Sequence, residues 1–217
     1  MEYKSNLKGL AFFEFLSLFG RLFINNKPKL NKNENYLNLG CGLNYVDGFV
    51  NADFFYSFKF WKKYSRNLEW QLDMRYKLNC KDEVFDGIYT EHTLEHFYPD
   101  DAKKLLSELY RCLKKDSFIR ITVPDIEKYI KYYNKDFDGY DVDSFSKRYK
   151  TGCSGIRNIS QNYFHFSLWD FEELKIYLED VGFKDVRKQD FGITQDDRLN
   201  LDWKDRAWET LYVEAKK

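Results

Sequence analysis

The sequence has no charge to spare: lysine plus arginine and aspartate plus glutamate each number 35, for a formal net charge of zero. Binding to a phosphate backbone is driven by clustered excess positive charge, so nucleic acid is excluded as the main partner. The four cysteines, Cys41, Cys80, Cys112 and Cys153, lie far apart and form no C-x-x-C pair. With no secretory signal in view, that scatter fits a reduced, cytoplasmic compartment and supplies no sulfur-based metal centre. No apolar run reaches the roughly 20 uncharged residues of a membrane span. The most apolar stretch, Ser5 to Asn26, is interrupted by Lys8, Glu14 and Arg21. Histidine is scarce, with only His92, His96 and His165, so imidazole chemistry has few candidates.

Against these absences stands one organised stretch, Tyr36-Leu37-Asn38-Leu39-Gly40-Cys41-Gly42-Leu43-Asn44. A short apolar run breaks into two glycines, the pattern of a buried strand entering a loop whose backbone admits a ligand closely. A second apolar run, Gly48 to Asp53, ends in a carboxylate that can accept two hydrogen bonds from a ribose diol. A glycine loop followed by an acidic strand end is a nucleoside-binding arrangement. A nicotinamide-type dinucleotide site is disfavoured, because a third glycine opening a full helix and an acid about twenty residues on are both missing.

Along the chain, Ser5 to Asn26 reads as a helix with Glu14, Ser17 and Arg21 on one face and a wide apolar remainder. Residues 1–30 form this helix, packed on or capping a domain at 31–217, with a homodimer or a peripheral membrane contact as further uses of the apolar face. Asn25 to Asn35 is linker. Phe54 to Asn67 is aromatic and basic, with a short helix expected. Strands follow at Leu68–Asp73, Val84–Thr90 and Phe118–Val123, and an amphipathic helix at Pro99–Lys115 opens on proline and two aspartates. Ile126 to Asn134 is helical. Lys135 to Gln161 shows no period and reads as a lid-like insertion. A helix over Leu168–Val181, capped by Asp170 and stopped by Gly182, precedes strands at Lys184–Asp190 and Thr210–Ala215. This alternation predicts an α/β fold: a three-layer, Rossmann-like, seven-stranded sheet, mostly parallel with an antiparallel edge hairpin, plus the N-terminal apolar helix.

Taken together, Leu37-Asn38-Leu39-Gly40-Cys41-Gly42, Val50-Asn51-Ala52-Asp53, Phe85-Asp86-Gly87-Ile88-Tyr89 with Glu91-His92-Thr93-Leu94-Glu95-His96, and Leu113-Lys114-Lys115 to Val123-Pro124-Asp125 resemble the class I S-adenosylmethionine-dependent methyltransferases. The likeness runs from Tyr36 to Lys217. The tail Arg206 to Ala215 resembles a bacterial subgroup linked to surface-polysaccharide biosynthesis. The resemblance implies S-adenosylmethionine as cofactor, with Gly40, Cys41 and Gly42 along its methionine moiety and Asp53 on the ribose. It places Asp73, with Leu72 and Met74, at the adenine, and Glu91 and His92 near the sulfonium. One departure is the short span from Gly40 to Asp53, which reduces the first crossover helix to a turn or two.

A hydroxyl acceptor has to lose a proton, ideally to a base with a pKa near 7, and histidine fits at about 6.5. His92, directly after the fourth strand, and His165, in a segment that borders the acceptor pocket of related enzymes, are the candidates. His96 is expected to pack or cap. His92-Thr93-Leu94-Glu95-His96 also spells H-x-x-E-H, an inverted zinc-protease signature. Pro99 cuts any helix short there, so the match is read as coincidence and no metal is expected. Lys147, Arg148 and Arg157, around Tyr149, could grip an anionic small-molecule acceptor such as a nucleotide-linked sugar. The functions left open are O-methylation of a sugar or sugar-nucleotide hydroxyl, N-methylation of a small amine, and a non-catalytic binding or scaffold protein that keeps the fold.

Overall fold

The computed structural model describes residues 7–55, 68–136 and 141–217. The short helix expected within Phe54–Asn67 lies mostly outside the described residues. Helix α1 spans Leu7–Phe23. Strands β1 (Tyr36–Leu39), β2 (Phe49–Asp53), β3 (Trp70–Gln71), β4 (Phe85–Glu91) and β5 (Leu113–Pro124) pair in parallel. Strands β6 (Lys184–Gln189) and β7 (Thr210–Lys216) close the sheet, with β7 antiparallel to both β5 and β6. The order β3-β2-β1-β4-β5-β7-β6 reverses between β1 and β4. In open α/β sheets a ligand crevice forms outside the carboxyl ends of the strands at such a reversal.

One face of the sheet carries the main core. Leu37, Leu39, Ile88, Ile119 and Ile121 meet Leu105, Leu106 and Leu109 of α2 (Pro99–Cys112) and Leu174 and Leu178 of α6 (Phe171–Asp180). The 3–4 spacing of the α2 leucines aligns them on one stripe. Pro99 opens α2, and the Asp170 side chain caps α6 by accepting from the Glu173 amide. The expected α2 runs three residues too far, because Leu113 already pairs with Phe85 as the first residue of β5.

The crossover from β1 to β2 contains turns and no helix. Two buried asparagines do the work that a helix's own hydrogen bonds would do. Asn38 donates to the Asn44 carbonyl at 2.8 Å and to Asn51 Oδ1 at 3.0 Å. Asn51 in turn accepts from the Val46 amide and donates to the Val46 carbonyl, both at 2.9 Å. Buried backbone groups must be paired, and here side-chain amides pair them.

The stretch Lys135–Gln161, expected to lack regular structure, carries α4 (Val142–Arg148) and α5 (Gly152–Gln161) after α3 (Ile126–Asn134). Both are short. Asp141 caps α4, and Thr151 with Ser154 forms a capping box on α5. Tyr129, Phe145, Ile159 and Trp208 form a second small core beneath them.

Helix α1 lies against the ends of β2 and β3. Ser17, fully buried, donates to Asp73 Oδ2 at 2.6 Å, and Glu14 meets Arg75 Nη1 at 2.5 Å. The outward face leaves Leu10, Phe12, Phe15, Leu18, Leu22 and Phe23 exposed. Among the described residues no helix is long and apolar enough to cross a membrane.

Candidate active site

The loop after β1 turns on two left-handed glycines, with φ of +69° at Gly40 and +51° at Gly42. The Gly40 amide donates back to Ala52 at 2.8 Å, which holds the loop over the end of β2. A Cβ on Gly40 would lie 2.1 Å from Thr93 Oγ1, whereas one on Gly42 would meet open space. Asp53 closes the loop: Oδ2 accepts the Gly42 amide at 2.7 Å and Oδ1 accepts the Phe54 amide at 2.6 Å. Burial raises its pKa, partly offset by those two amides. A carboxylate offers about four acceptor positions, so two remain for a diol.

Leu72 is buried and donates its amide to the Asp53 carbonyl at 3.0 Å. Asp73 is buried as well. Burial works against its charge, but hydrogen bonds from Arg75 and Ser17 outweigh it and hold the carboxyl below its usual value. Met74 packs on the core edge.

Glu91, at the end of β4, lines a cavity of about 160 Å³ with Asn38, Asn44, Tyr89, Asp202 and Trp203. Burial raises its pKa, and Asn44 Nδ2 donates to it at 3.3 Å. His92 follows with a left-handed φ of +45°. Its Nε2 lies 2.9 Å from Thr210 Oγ1, whose own proton goes to the Arg206 carbonyl at 2.7 Å. Nε2 must therefore carry the hydrogen, which leaves the Nδ1 lone pair facing Glu95 Oε1 at 3.5 Å. Burial lowers the His92 pKa well below its ordinary value, so the ring is neutral.

His165 reaches the same carboxyl from 70 residues away. The backbone stitches the two segments together: the Phe166 and Ser167 amides donate to the Glu95 carbonyl at 2.8 and 3.2 Å. His165 Nδ1 meets the Ile159 carbonyl at 2.8 Å, and its Nε2 stands 3.9 Å from Glu95 Oε1. His96 stacks edge-on to it at a centroid distance of 5.1 Å. Burial lowers the pKa of both rings. The exposed Tyr163 ring stands 5.9 Å from that of His165, and Tyr98, exposed as well, stacks on Phe166 at 4.7 Å.

Residues 37–121 match the family described as “Methyltransferase domain”. A S-adenosylmethionine-dependent methyltransferase of Archaeoglobus fulgidus shares the fold at a TM-score of 0.52, with 20% identity over 94% of this chain and 94% of that one. A S-adenosylmethionine-dependent methyltransferase of Thermotoga maritima, described as a possible histamine N-methyltransferase, does so at 0.51, with 15% identity over 97% and 93% of the two chains. A protein of Pyrococcus horikoshii matches at 0.51, with 15% identity over 98% and 92%. No curated protein matches the sequence significantly. The family match over residues 37–121 is thus to a methyltransferase domain, and the whole chain shares the fold of S-adenosylmethionine-dependent methyltransferases.

The residues present fit that cofactor: the glycine loop leaves open space where a Gly42 side chain would stand, and Asp53 keeps acceptor capacity at the loop's end. The methyltransferase match takes in the loop, Asp53, Asp73, Glu91 and His92, while His165 lies beyond it. Lys147 and Arg148 end α4 and Arg157 sits on α5, all exposed. The Arg148 guanidinium lies 4.7 Å over Trp208, covering the second core.

Sequence reasoning missed Glu95. It is fully buried, and neither carboxylate oxygen has a hydrogen-bond partner among the described residues. The signal was present, since a glutamate between apolar Leu94 and His96 has to go somewhere. It was read only within the stretch Glu91 to His96 that carries the family resemblance and as part of a coincidental H-x-x-E-H. His92 and His96 do not act as a helical i, i+4 pair, because Leu94–His96 is a single 3₁₀ turn. Arg120 was also missed: fully buried, it donates to Asp202 at 2.5 and 2.8 Å and to Glu214 at 3.2 Å.

Proposed function

We propose that the protein moves the methyl group of S-adenosylmethionine to a hydroxyl of a sugar or sugar nucleotide in surface-polysaccharide biosynthesis, with His165 as the base. The cofactor supplies a methyl group made electrophilic by positive sulfur. This chain's residues then have three tasks. Gly40, Cys41, Gly42, Asp53 and Glu91 hold and orient the cofactor, with Leu72, Asp73 and Met74 at the adenine. Alignment of this kind is worth about 7–11 kcal/mol. The acceptor proton goes to a neutral imidazole.

His165 suits that task better than His92. Each ring commits one nitrogen, His92 Nε2 to Thr210 and His165 Nδ1 to the Ile159 carbonyl, and turns the other toward Glu95. His165 differs in lying against an exposed aromatic face, the Tyr163 ring 5.9 Å from its own, and that placement is the observation that carries the reading. Aromatic faces suit carbohydrate rings, and Lys147, Arg148 and Arg157 are at hand on α4 and α5 for an anionic group. The outward apolar face of α1 suits contact with a second copy or a membrane surface, and cysteines that form no disulfide among the described residues fit a cytoplasmic setting.

A general base contributes 10²–10⁴-fold. Replacement of His165 by alanine should therefore slow transfer by about that factor while calorimetry shows cofactor binding intact. Replacement of His92 should act through Thr210 and Glu95, with a stability loss. Full activity in both variants would contradict a histidine base and favour an amine acceptor aligned by proximity alone. No step of this reading needs a metal, so dialysis against a chelator should not slow transfer.

A further inference from the structure

Glu95 sits at a meeting point of lone pairs. One ligand atom from each of Glu95, His96 and His165 lies within 4.8 Å of the others. His165 Nδ1 is 2.8 Å from the Ile159 carbonyl and His96 Nδ1 is 3.3 Å from the Phe164 carbonyl. A carbonyl only accepts, so each Nδ1 carries the hydrogen and each Nε2 is left as a lone pair. Imidazoles that ligate metals are held in this way, the far nitrogen donating to a backbone carbonyl. The carboxylate they approach is fully buried, and both of its oxygens lack a hydrogen-bond donor among the described residues. Unprotonated nitrogens and an unsatisfied carboxylate around one point call for a cation.

We propose that Glu95, His96 and His165 form a binding site for one divalent transition-metal ion of the zinc type. Two imidazoles and one carboxylate are a ligand set zinc favours, and three protein ligands leave a further position for water. His96 is exposed, so the ion has an entry path from solvent. Glu91 and Glu209 add negative charge around the carboxyl, and Arg206 opposes it. The backbone is built to deliver His165: Tyr163 and Phe164 both take left-handed φ of +61°, a costly conformation for aromatic residues.

Occupancy would take the Nε2 lone pair that the proposed transfer uses. Zinc should therefore slow methyl transfer, a consequence that rests on the base reading of His165. The site itself is tested without activity. The full chain, stripped with a chelator, is titrated with zinc chloride by calorimetry and with cobalt(II) by visible absorption. The expected result is one equivalent bound, with cobalt d–d bands and no sulfur-to-metal charge transfer. His96→Ala, at an exposed position, and Glu95→Gln should each weaken zinc by more than ~10-fold. The absence of uptake, or uptake unchanged in both variants, would overturn the site. A sulfur charge-transfer band would also overturn it, because Cys80 and Cys112, with sulfurs 2.8 Å apart, would then hold the metal. Uptake that leaves transfer unslowed would uphold the site and sink the base role of His165.

Discussion

Gly40 stands at φ +69° with its missing side chain aimed at Thr93. Alanine there meets two costs, a left-handed backbone and a contact that Thr93 must move to relieve. Gly40→Ala should lower stability by about 1–3 kcal/mol in urea unfolding. A change under about 0.5 kcal/mol would show that the loop does not hold this conformation. Glu95 gives a second prediction at this scale. Burial pushes its carboxyl from 4.5 up to about 8. Between those values the folded chain keeps a proton that the unfolded chain has released, so stability falls as pH rises through that window. The three histidines, lowered by burial, act oppositely below about 6.5. The difference between wild type and Glu95→Gln therefore isolates the carboxyl. In chelator, the wild-type profile should drop relative to the variant between pH 5 and 8, by at most about 5 kcal/mol. Parallel profiles would mean the carboxyl is ionised in the folded chain.

At the scale of elements, strand ends and helices with strong patterns were legible. Asp53, Glu91 and Pro124 end or border strands where expected, and Asp170 caps α6. Counting residues between Gly40 and Asp53 predicted a crossover helix cut to a turn or two, where the structure has turns and no helix, and the asparagine pair that holds the crossover was not foreseen. Asn38 and Asn51 alternate with apolar neighbours in both strands, a pattern that reads equally as solvent exposure. Helices α4 and α5 escaped detection because each buries only one or two residues, Phe145 on one and Gly155 with Ile159 on the other. Too few apolar positions make no period. His165 was found as a residue type in a plausible segment, whereas its meeting with Glu95 is set by backbone bonds that no local pattern encodes. Helix α1 makes the matching prediction. Ser17 is its one fully buried hydroxyl contact to a strand-end carboxylate, so Ser17→Ala should cost about 1.5–3 kcal/mol. The loss should appear in amide exchange as faster opening of α1 with β4 and β5 unchanged. Unaltered protection of α1 would show that its aromatic contacts with Phe54 and Phe55 and the Glu14–Arg75 pair hold it without Ser17.

For the whole molecule, the sheet order sets the site. The reversal between β1 and β4 puts Gly40 and Glu91 side by side, and parallel pairing brings Asp53 to the same edge. Helix α1 closes over Asp73 at that edge, and the α5–α6 link brings His165 to the turn after β4. The glycine-loop edge and the histidine cluster thus lie at one end of a single sheet. The central claim is that this edge binds S-adenosylmethionine through Asp53. Calorimetry with S-adenosylmethionine and its demethylated product tests it most directly. The account predicts one site in the wild type, weakened in Asp53→Ala by about 1.5–3 kcal/mol, roughly 10- to 150-fold, from loss of a charged hydrogen-bond acceptor. No binding by the wild type at millimolar ligand, or equal binding by both proteins, would contradict it.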